Sequence, residues 1–276
     1  METDLLKTLP TVLRARGFRL YLANGKRLVD LWQNGGAAVL GHTPTNMLRE
    51  LKNTASRGLY APFPHFTEDR FFKALSKLLP GRSFRLYSAP PQELIALFAN
   101  ADAELWRPFV DPAAPFASRN ETPYLIPVLP GIQLWRDGLP MGLCIAVANS
   151  ETQLMPLPKG DILSPILLAM AARGTHDLLA APERASPKFP RITRAINKQA
   201  AYKHNIWKRE GIYLTPKEKL NDGEWAALFR KFFDAGFLLP SNPAQPLILP
   251  GELSEGEETK FAELLSVSLL KPETSG

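Results

Sequence analysis

Cysteine is nearly absent. Cys144 is the single thiol in 276 residues, which excludes an internal disulfide framework and leads us to expect a reducing, cytoplasmic setting. It lies in the apolar run 143–147 and reads as a buried, inert thiol rather than a nucleophile. Long hydrophobic runs are lacking too: none approaches the roughly 20 residues that span a bilayer, so no membrane association is expected. The opening METDLLKTLPTVLRARG is too polar for a secretory signal. Histidine is scarce, and His42, His65, His176 and His204 show no metal-ligand spacing. There is no Gly-x-Ser-x-Gly elbow, Walker loop or dinucleotide fingerprint. Glu93 and Asp177 have no evident carboxylate partner for paired acid–base work, and no repeat is visible at periods of about 20 to 50 residues. Lysine is missing over a long stretch, with none between Lys77 and Lys159.

What is present is the balance of a soluble globular protein, 45% hydrophobic and 22% charged, long enough for one substantial core or two modest ones. The net charge of +6 permits a polyanionic partner without requiring one. Much of the excess lies in 188–209, KFPRITRAINKQAAYKHNIWKR. A basic helix interleaved with Tyr202 and Trp207 could meet nucleic-acid phosphates. Against that, Ile192, Ile196, Ala200 and Trp207 recur near helical spacing, which leaves the charges on a solvated face. The 26 prolines punctuate the whole chain and mark no single linker.

Residues 18–22 and 27–31 alternate as two strands, and Asn24-Gly25 between them favours a type I′ hairpin turn. A small-residue loop follows at 35–42. Thr45 is expected to cap a helix carrying Met47, Leu48, Leu51 and Ala55. A second helix follows Thr67, with Phe71, Leu75, Leu78 and Leu79 as its stripe and Pro80-Gly81 as its stop. Short buried strands are expected at 124–129 and 143–147. Ser164 and Pro165 suit the cap and first position of a long helix through Leu179. Asp222 is expected to cap a helix with Trp225, Leu228, Phe229, Phe232 and Phe233 on one side and Gly236 as its stop. Residues 247–249 read as a strand. Ser254 and Glu257 form a capping box for a last helix burying Phe261, Leu264 and Leu265. Strands separated by helices in the middle of the chain argue for a partly parallel sheet covered on both faces.

The segment 84–98, FRLYSAPPQELIALF, reads as strand, tight turn and helix start. That geometry presents free backbone N–H groups to a phosphate. Here Pro90 and Pro91 fill the turn, and proline has no N–H to offer.

The order of motifs resembles the class III pyridoxal-phosphate aminotransferases, and within them the glutamate-1-semialdehyde aminomutase group. RGFRLYLANGKRLVDLWQNGGAAVLGHTP at 16–44 looks like the family's opening hairpin and Gly-His-x-x-Pro helix entry, with Asn24-Gly25 as the turn and Asp30 as the second acid of its hairpin pattern. Arg57-Gly58-Leu59-Tyr60-Ala61-Pro62 resembles the turn before the large domain. Ser88-Ala89-Pro90-Pro91-Gln92-Glu93 sits where the family has Ser-Gly-Thr-Glu-Ala. Asp137-Gly138-Leu139-Pro140-Met141-Gly142 resembles the Gly-Gly-Leu-Pro segment after the catalytic lysine, and Ser164-Pro165 the Asn-Pro that starts the interdomain helix. WAALFRKFFDAGFLLP at 225–240 and Leu253-Ser254-Glu255-Gly256-Glu257 resemble the family's C-terminal elements.

The resemblance implies a reduced type I pyridoxal-phosphate transferase fold: an α/β large domain at 66–175 with a mixed, mostly parallel sheet and helices on both faces, and an α+β small domain built from 1–65 and 176–276. It also implies a homodimer. Three features of the family's site are missing. Ala89 and Pro90 replace its phosphate-binding Gly-Thr, leaving Ser88, Ala89 and Pro90 as a vestigial cofactor turn. No lysine stands near 130–133, where the Schiff-base lysine belongs, so Lys159 in Pro158-Lys159-Gly160-Asp161 is the one substitute, in what reads as an exposed loop. No Asp-Glu dipeptide occurs to hold a pyridinium nitrogen, and 100–122 is too short for the family's intervening strands. Without tether and tuning the cofactor has no role. The expectation is an aminotransferase-like homodimer without bound cofactor, without metal and without a catalytic residue, binding a small molecule or a partner protein. The alternatives are an active pyridoxal-phosphate enzyme using a displaced Lys159, and a nucleic-acid-binding protein using the basic helix.

Overall fold

The computed structural model describes residues 5–42, 44–89, 91–93, 124–126, 128–129, 132–133, 143–201, 207–218 and 220–267. The chain divides into two compact units, Met1–Gly35 with Glu183–Gly276, and Gly36–Pro182.

In chain order the described elements begin with strands β1 (Val12–Arg16), β2 (Arg19–Leu22) and β3 (Arg27–Asp30). Helices α1 (Thr45–Ala55) and α2 (Thr67–Leu78) lead to strand β4 (Ser83–Tyr87). Short strands β5 (Tyr124–Ile126), β6 (Val128–Leu129) and β7 (Ile132–Gln133) precede β8 (Cys144–Ala148). Helices α3 (Glu151–Leu154), α4 (Pro165–Leu179) and α5 (Pro190–Ala201) follow. Strands β9 (Trp207–Glu210) and β10 (Tyr213–Pro216) form a hairpin ahead of α6 (Asp222–Ala235). β11 (Phe237–Leu238), β12 (Leu247–Ile248) and α7 (Glu255–Val267) complete the order.

In the first unit one sheet runs β1-β2-β3-β11, with β11 parallel to β3, and a second runs β12-β10-β9. The β2–β3 turn differs from the type I′ expectation. Leu22 N–H donates to the Lys26 carbonyl and Gly25 N–H to the Leu22 carbonyl, which makes a three-residue loop. Gly25 alone is left-handed there, at φ 79°, so the geometry is a type I turn closed by a glycine bulge. The Asn24 side chain accepts from Lys26 N–H, an anchor that needs no positive φ at Asn24.

Helix α6 starts one residue earlier than expected. Asn221 Oδ1 accepts from Glu224 N–H at 2.9 Å while Glu224 Oε2 accepts from Asn221 N–H at 3.0 Å. The acid three residues on closes a capping box for Asn221; Asp222 would have faced Trp225 at that position. Gly236, at φ 95°, ends the helix. The Ser254–Glu257 box at the start of α7 forms as expected. Beneath these helices Phe232, Phe237 and Phe261 form an aromatic core. Phe237 stacks on Phe261 at 5.2 Å, and Phe232 meets both edge-on. Trp207, expected on the basic helix, is instead the first residue of β9 and fully buried. Strand β1 was not legible in the sequence, because its residues are mostly exposed and show no burial alternation.

In the second unit α4 packs against α1 and α2. Ser164 and Pro165 take the cap and first positions of α4, although no side-chain capping bond forms. At α1, Pro44 rather than Thr45 occupies the cap position; Thr45 is the first helical residue, and Met47 and Thr54 are its buried side chains. Among the described strands of this unit's larger sheet, β8 lies between β4 and β5 and is antiparallel to both, where the sequence led us to expect mostly parallel neighbours. All five residues of β8 are buried. A strand covered on both faces reads as a continuous apolar run whichever way its neighbours point, so composition could not tell its direction.

Candidate functional site

The alternation of β4 places Arg85 and Tyr87 on one face of the sheet. Across the register Arg85 sits opposite Ala146 and Tyr87 opposite Cys144. On that face Tyr87, Cys144, Ala146 and Ala148 pack with Leu154 and Leu157. The segment after α3 is thereby drawn over the end of β4 as a strap. Arg85 fastens it: Nη1 donates to the carbonyls of Leu154, Leu157 and Pro158 at 2.6, 2.9 and 3.1 Å, and Nη2 to Glu151 Oε1 at 2.5 Å. Tyr87 O–H donates to the Pro158 carbonyl at 2.8 Å.

The strap ends at the turn. Asp161 N–H donates to the Leu86 carbonyl at 2.9 Å. Its carboxylate then meets Ser88 twice, with the Ser88 N–H and hydroxyl both donating to Oδ2, at 2.7 and 2.6 Å. A charged acceptor on a backbone amide and a hydroxyl is the pairing that an anion at such a turn would otherwise make. Gly160 is required for this approach. A Cβ there would lie 2.9 Å from the Leu86 carbonyl oxygen, a backbone atom that cannot swing aside.

The sequence-derived residues fall as follows. Ser88 and Ala89 are exposed at the end of β4, and Gln92 and Glu93 are helical. Pro90 lies outside the described residues. Lys159 is exposed on the strap, two residues before Asp161. Asp161, Gly160 and Arg85 were not read as site residues. The available signal was an arginine inside the otherwise apolar run Phe84-Arg85-Leu86-Tyr87, on the same face as Tyr87. The Cys144 thiol is buried in the face below; burial, with a smaller contribution from Asp161, pushes it up to about 12. At neutral pH it therefore carries no thiolate.

The other candidates have structural partners. Asp30 is buried, and its Oδ1 accepts from Trp32 and Gln33 N–H at 2.9 and 2.8 Å. This holds a turn in which Gln33 and Asn34 are left-handed, at φ 49° and 51°. Asp177 accepts from Asn46 Nδ2 at 3.1 Å and from Arg173 Nε at 2.9 Å. His176 titrates below its ordinary value because burial and the cations Lys77, Arg173 and Arg70 disfavour its charged form. His65 bonds Thr67, and His204 lies outside the described residues. Among the described residues no helix is long and apolar enough to cross a membrane.

No known family model matches the chain. Two proteins of comparable span align with it, both described as uncharacterized. One, from Treponema pallidum, is 25% identical over 90% of this chain and 92% of its own. The other, from Borreliella burgdorferi, is 26% identical over 95% and 93%. Solved structures that superpose on the chain include transaminases. An omega-transaminase from Sphaerobacter thermophilus superposes with a TM-score of 0.63 at 10% identity, over 94% of this chain and 90% of that one. A transaminase solved with PLP bound superposes at 0.61 with 13% identity, over 95% and 91%. The chain thus has an α/β aminotransferase-like fold with mixed sheets.

Proposed function

We propose that this protein is an aminotransferase-like homodimer that has lost pyridoxal-phosphate catalysis and binds a small molecule or a partner protein instead. The observation that carries the reading is the double hydrogen bond from Ser88 to Asp161. The donors at the turn where the fold would take a phosphate are already spent on a carboxylate of the same chain. A phosphate placed there would face that negative charge. Ala89 contributes no hydroxyl. The residues around Ser88 therefore do not fit a phosphorylated cofactor. The homodimer rests on the resemblance and on the exposure of Tyr60, Phe63 and Phe66, each more than half accessible within one short segment. Light scattering on the eluting protein would test it, and a monomer would remove that part of the reading.

The specific observation for the alternative, an active enzyme, is that Lys159 rides on the strap close to the turn. One experiment separates the two readings. The purified protein is incubated with pyridoxal phosphate, reduced with borohydride and analysed by mass spectrometry. Substoichiometric labelling scattered over surface lysines is expected. A stoichiometric adduct on Lys159, lost in Lys159→Ala with the fold intact, would establish the active enzyme instead.

A further inference from the structure

We infer that the cavity beside Arg209, between the start of α5 and the β9–β10 turn, is a binding site for a small organic anion carrying phosphate or carboxylate groups. The smaller part of this cavity, about 360 Å³, is bordered by Ser186, Thr193, Asn197, Arg209 and Gly211. It adjoins a larger, more open part of about 890 Å³ that adds Lys188, Phe189, Pro190 and Arg194. The two share Pro187, Thr193 and Asn197, so a ligand could bridge them. Among the described residues, no acidic side chain lines either part.

Arg209 is the anchor. Its Nε donates to the Gly211 carbonyl at 2.9 Å and its Nη1 to Thr193 Oγ1 at 2.8 Å. Thr193 Oγ1 is itself fixed, donating to the Phe189 carbonyl at 2.9 Å. The guanidinium plane is thus held by neutral oxygens, and no carboxylate pairs with it among the described residues. It is half-buried, and burial lowers its affinity for the proton relative to an ordinary arginine. A half-buried cation held by neutral acceptors has its charge uncompensated, and a fixed guanidinium edge suits bidentate contact with phosphate or carboxylate. The neighbouring acids are engaged elsewhere: Glu258 accepts from Arg191 N–H at 2.7 Å, and Glu255 pairs with the Arg191 side chain at 3.7 Å. Lys188 and Arg194 make no ion pair among the described residues and face the same cavity.

Phe189, Pro187 and Pro190 give one side an apolar wall, so the fitting ligand is a small molecule with an anionic end rather than a bare ion. Lys188, Arg194 and Arg209 line one cavity, which favours a small anion over nucleic acid. The inference does not rest on the state of the Ser88 turn, and its test is independent of the pyridoxal-phosphate test.

Isothermal titration of the full-length protein with pyrophosphate and, separately, with citrate tests it, since the first presents phosphate and the second carboxylate oxygens. Saturable one-to-one binding of at least one probe is expected, and which one binds tells the ligand's head group. Arg209→Gln and Arg194→Glu should each weaken it about tenfold, the loss of roughly one charge-assisted bond. Arg57→Glu, which changes an exposed cation in the other unit, should leave it unaltered. Arg194 is exposed, so its variant tests the site even if Arg209→Gln disturbs folding. Three results would overturn the inference: no saturable binding of either probe, equal weakening by Arg57→Glu, or binding only of an oligonucleotide whose affinity falls steeply with salt.

Discussion

Ser88 and Asp161 are joined by two hydrogen bonds to one carboxylate oxygen, at 2.7 Å from the backbone and 2.6 Å from the hydroxyl. Seventy-three positions separate them in the chain, and what brings them together is the strap that Arg85 ties down. A strand end, a turn and an acceptor meet here, and the acceptor belongs to the same chain. The same economy recurs at the start of α5, where Glu258 accepts from the Arg191 N–H. In both places a carboxylate of the chain supplies the negative charge that exposed backbone donors attract.

Removing the carboxylate should release the strap without unfolding the protein. Asp161→Ala is expected to cost about 1 kcal/mol in urea denaturation, the worth of an ordinary exposed hydrogen-bond pair. It should also raise amide exchange at Ser88 and residues 158–161. Unchanged exchange there would mean that the contact does not hold the strap in solution.

Gly160→Ala should be more damaging than its small size suggests. The new methyl would meet the Leu86 carbonyl oxygen at 2.9 Å, so the strap must lift or β4 must shift. A loss of about 1 to 3 kcal/mol is expected, as for overpacking elsewhere. A stability equal to the parent protein would show that the strap is already detached.

Cys144 should be silent towards thiol reagents. Burial holds its titration at about 12, and its side chain is 1% exposed. Ellman's reagent should therefore modify it only after denaturant is added. Rapid labelling of the native protein would contradict the packed face of Tyr87, Leu154 and Leu157.

Glu257 carries a pH-dependent share of the stability. Burial on its own would raise its titration, but the Arg19 guanidinium, at 2.7 Å, and the Ser254 contacts hold it down at about 2. A carboxylate with a lowered native value stabilises the fold above its unfolded value near 4.5, and that contribution is lost as pH falls towards 2. Denaturation midpoints should accordingly drop across this window, and Glu257→Gln should flatten the drop. Parallel curves for the two proteins would assign the acid sensitivity to other groups.

The aromatic core under α6 and α7 should be the most sensitive part of the first unit. Phe237→Ala removes a ring stacked on Phe261 and in edge contact with Phe232. A cost of about 3 to 5 kcal/mol is expected. A loss below about 1 kcal/mol would indicate that the rings repack around the gap.

Much of the architecture was determined by local chemistry. The stripe of Phe71, Leu75 and Leu78, the Ser254–Glu257 box and the left-handed Gly236 each depend on a few neighbouring residues, so each was legible in the string of letters. Where two local solutions compete, reading was off by a residue. Asn221 and Asp222 can both cap, and only the acid at Glu224 decides between them. The hairpin turn was legible as a turn but not as a type, because Asn24-Gly25 serves more than one loop length. Tertiary structure alone decided the direction of β8, since burial on both faces produces the same apolar run in parallel and antiparallel sheets. It alone decided that Trp207 begins a strand rather than continuing a helix. That proline at position 90 carries no N–H, and that no lysine stands between Lys77 and Lys159, can be read from the sequence directly. That a carboxylate from the strap meets Ser88 cannot, because hydrogen bonds between residues far apart in sequence leave no periodic trace in it.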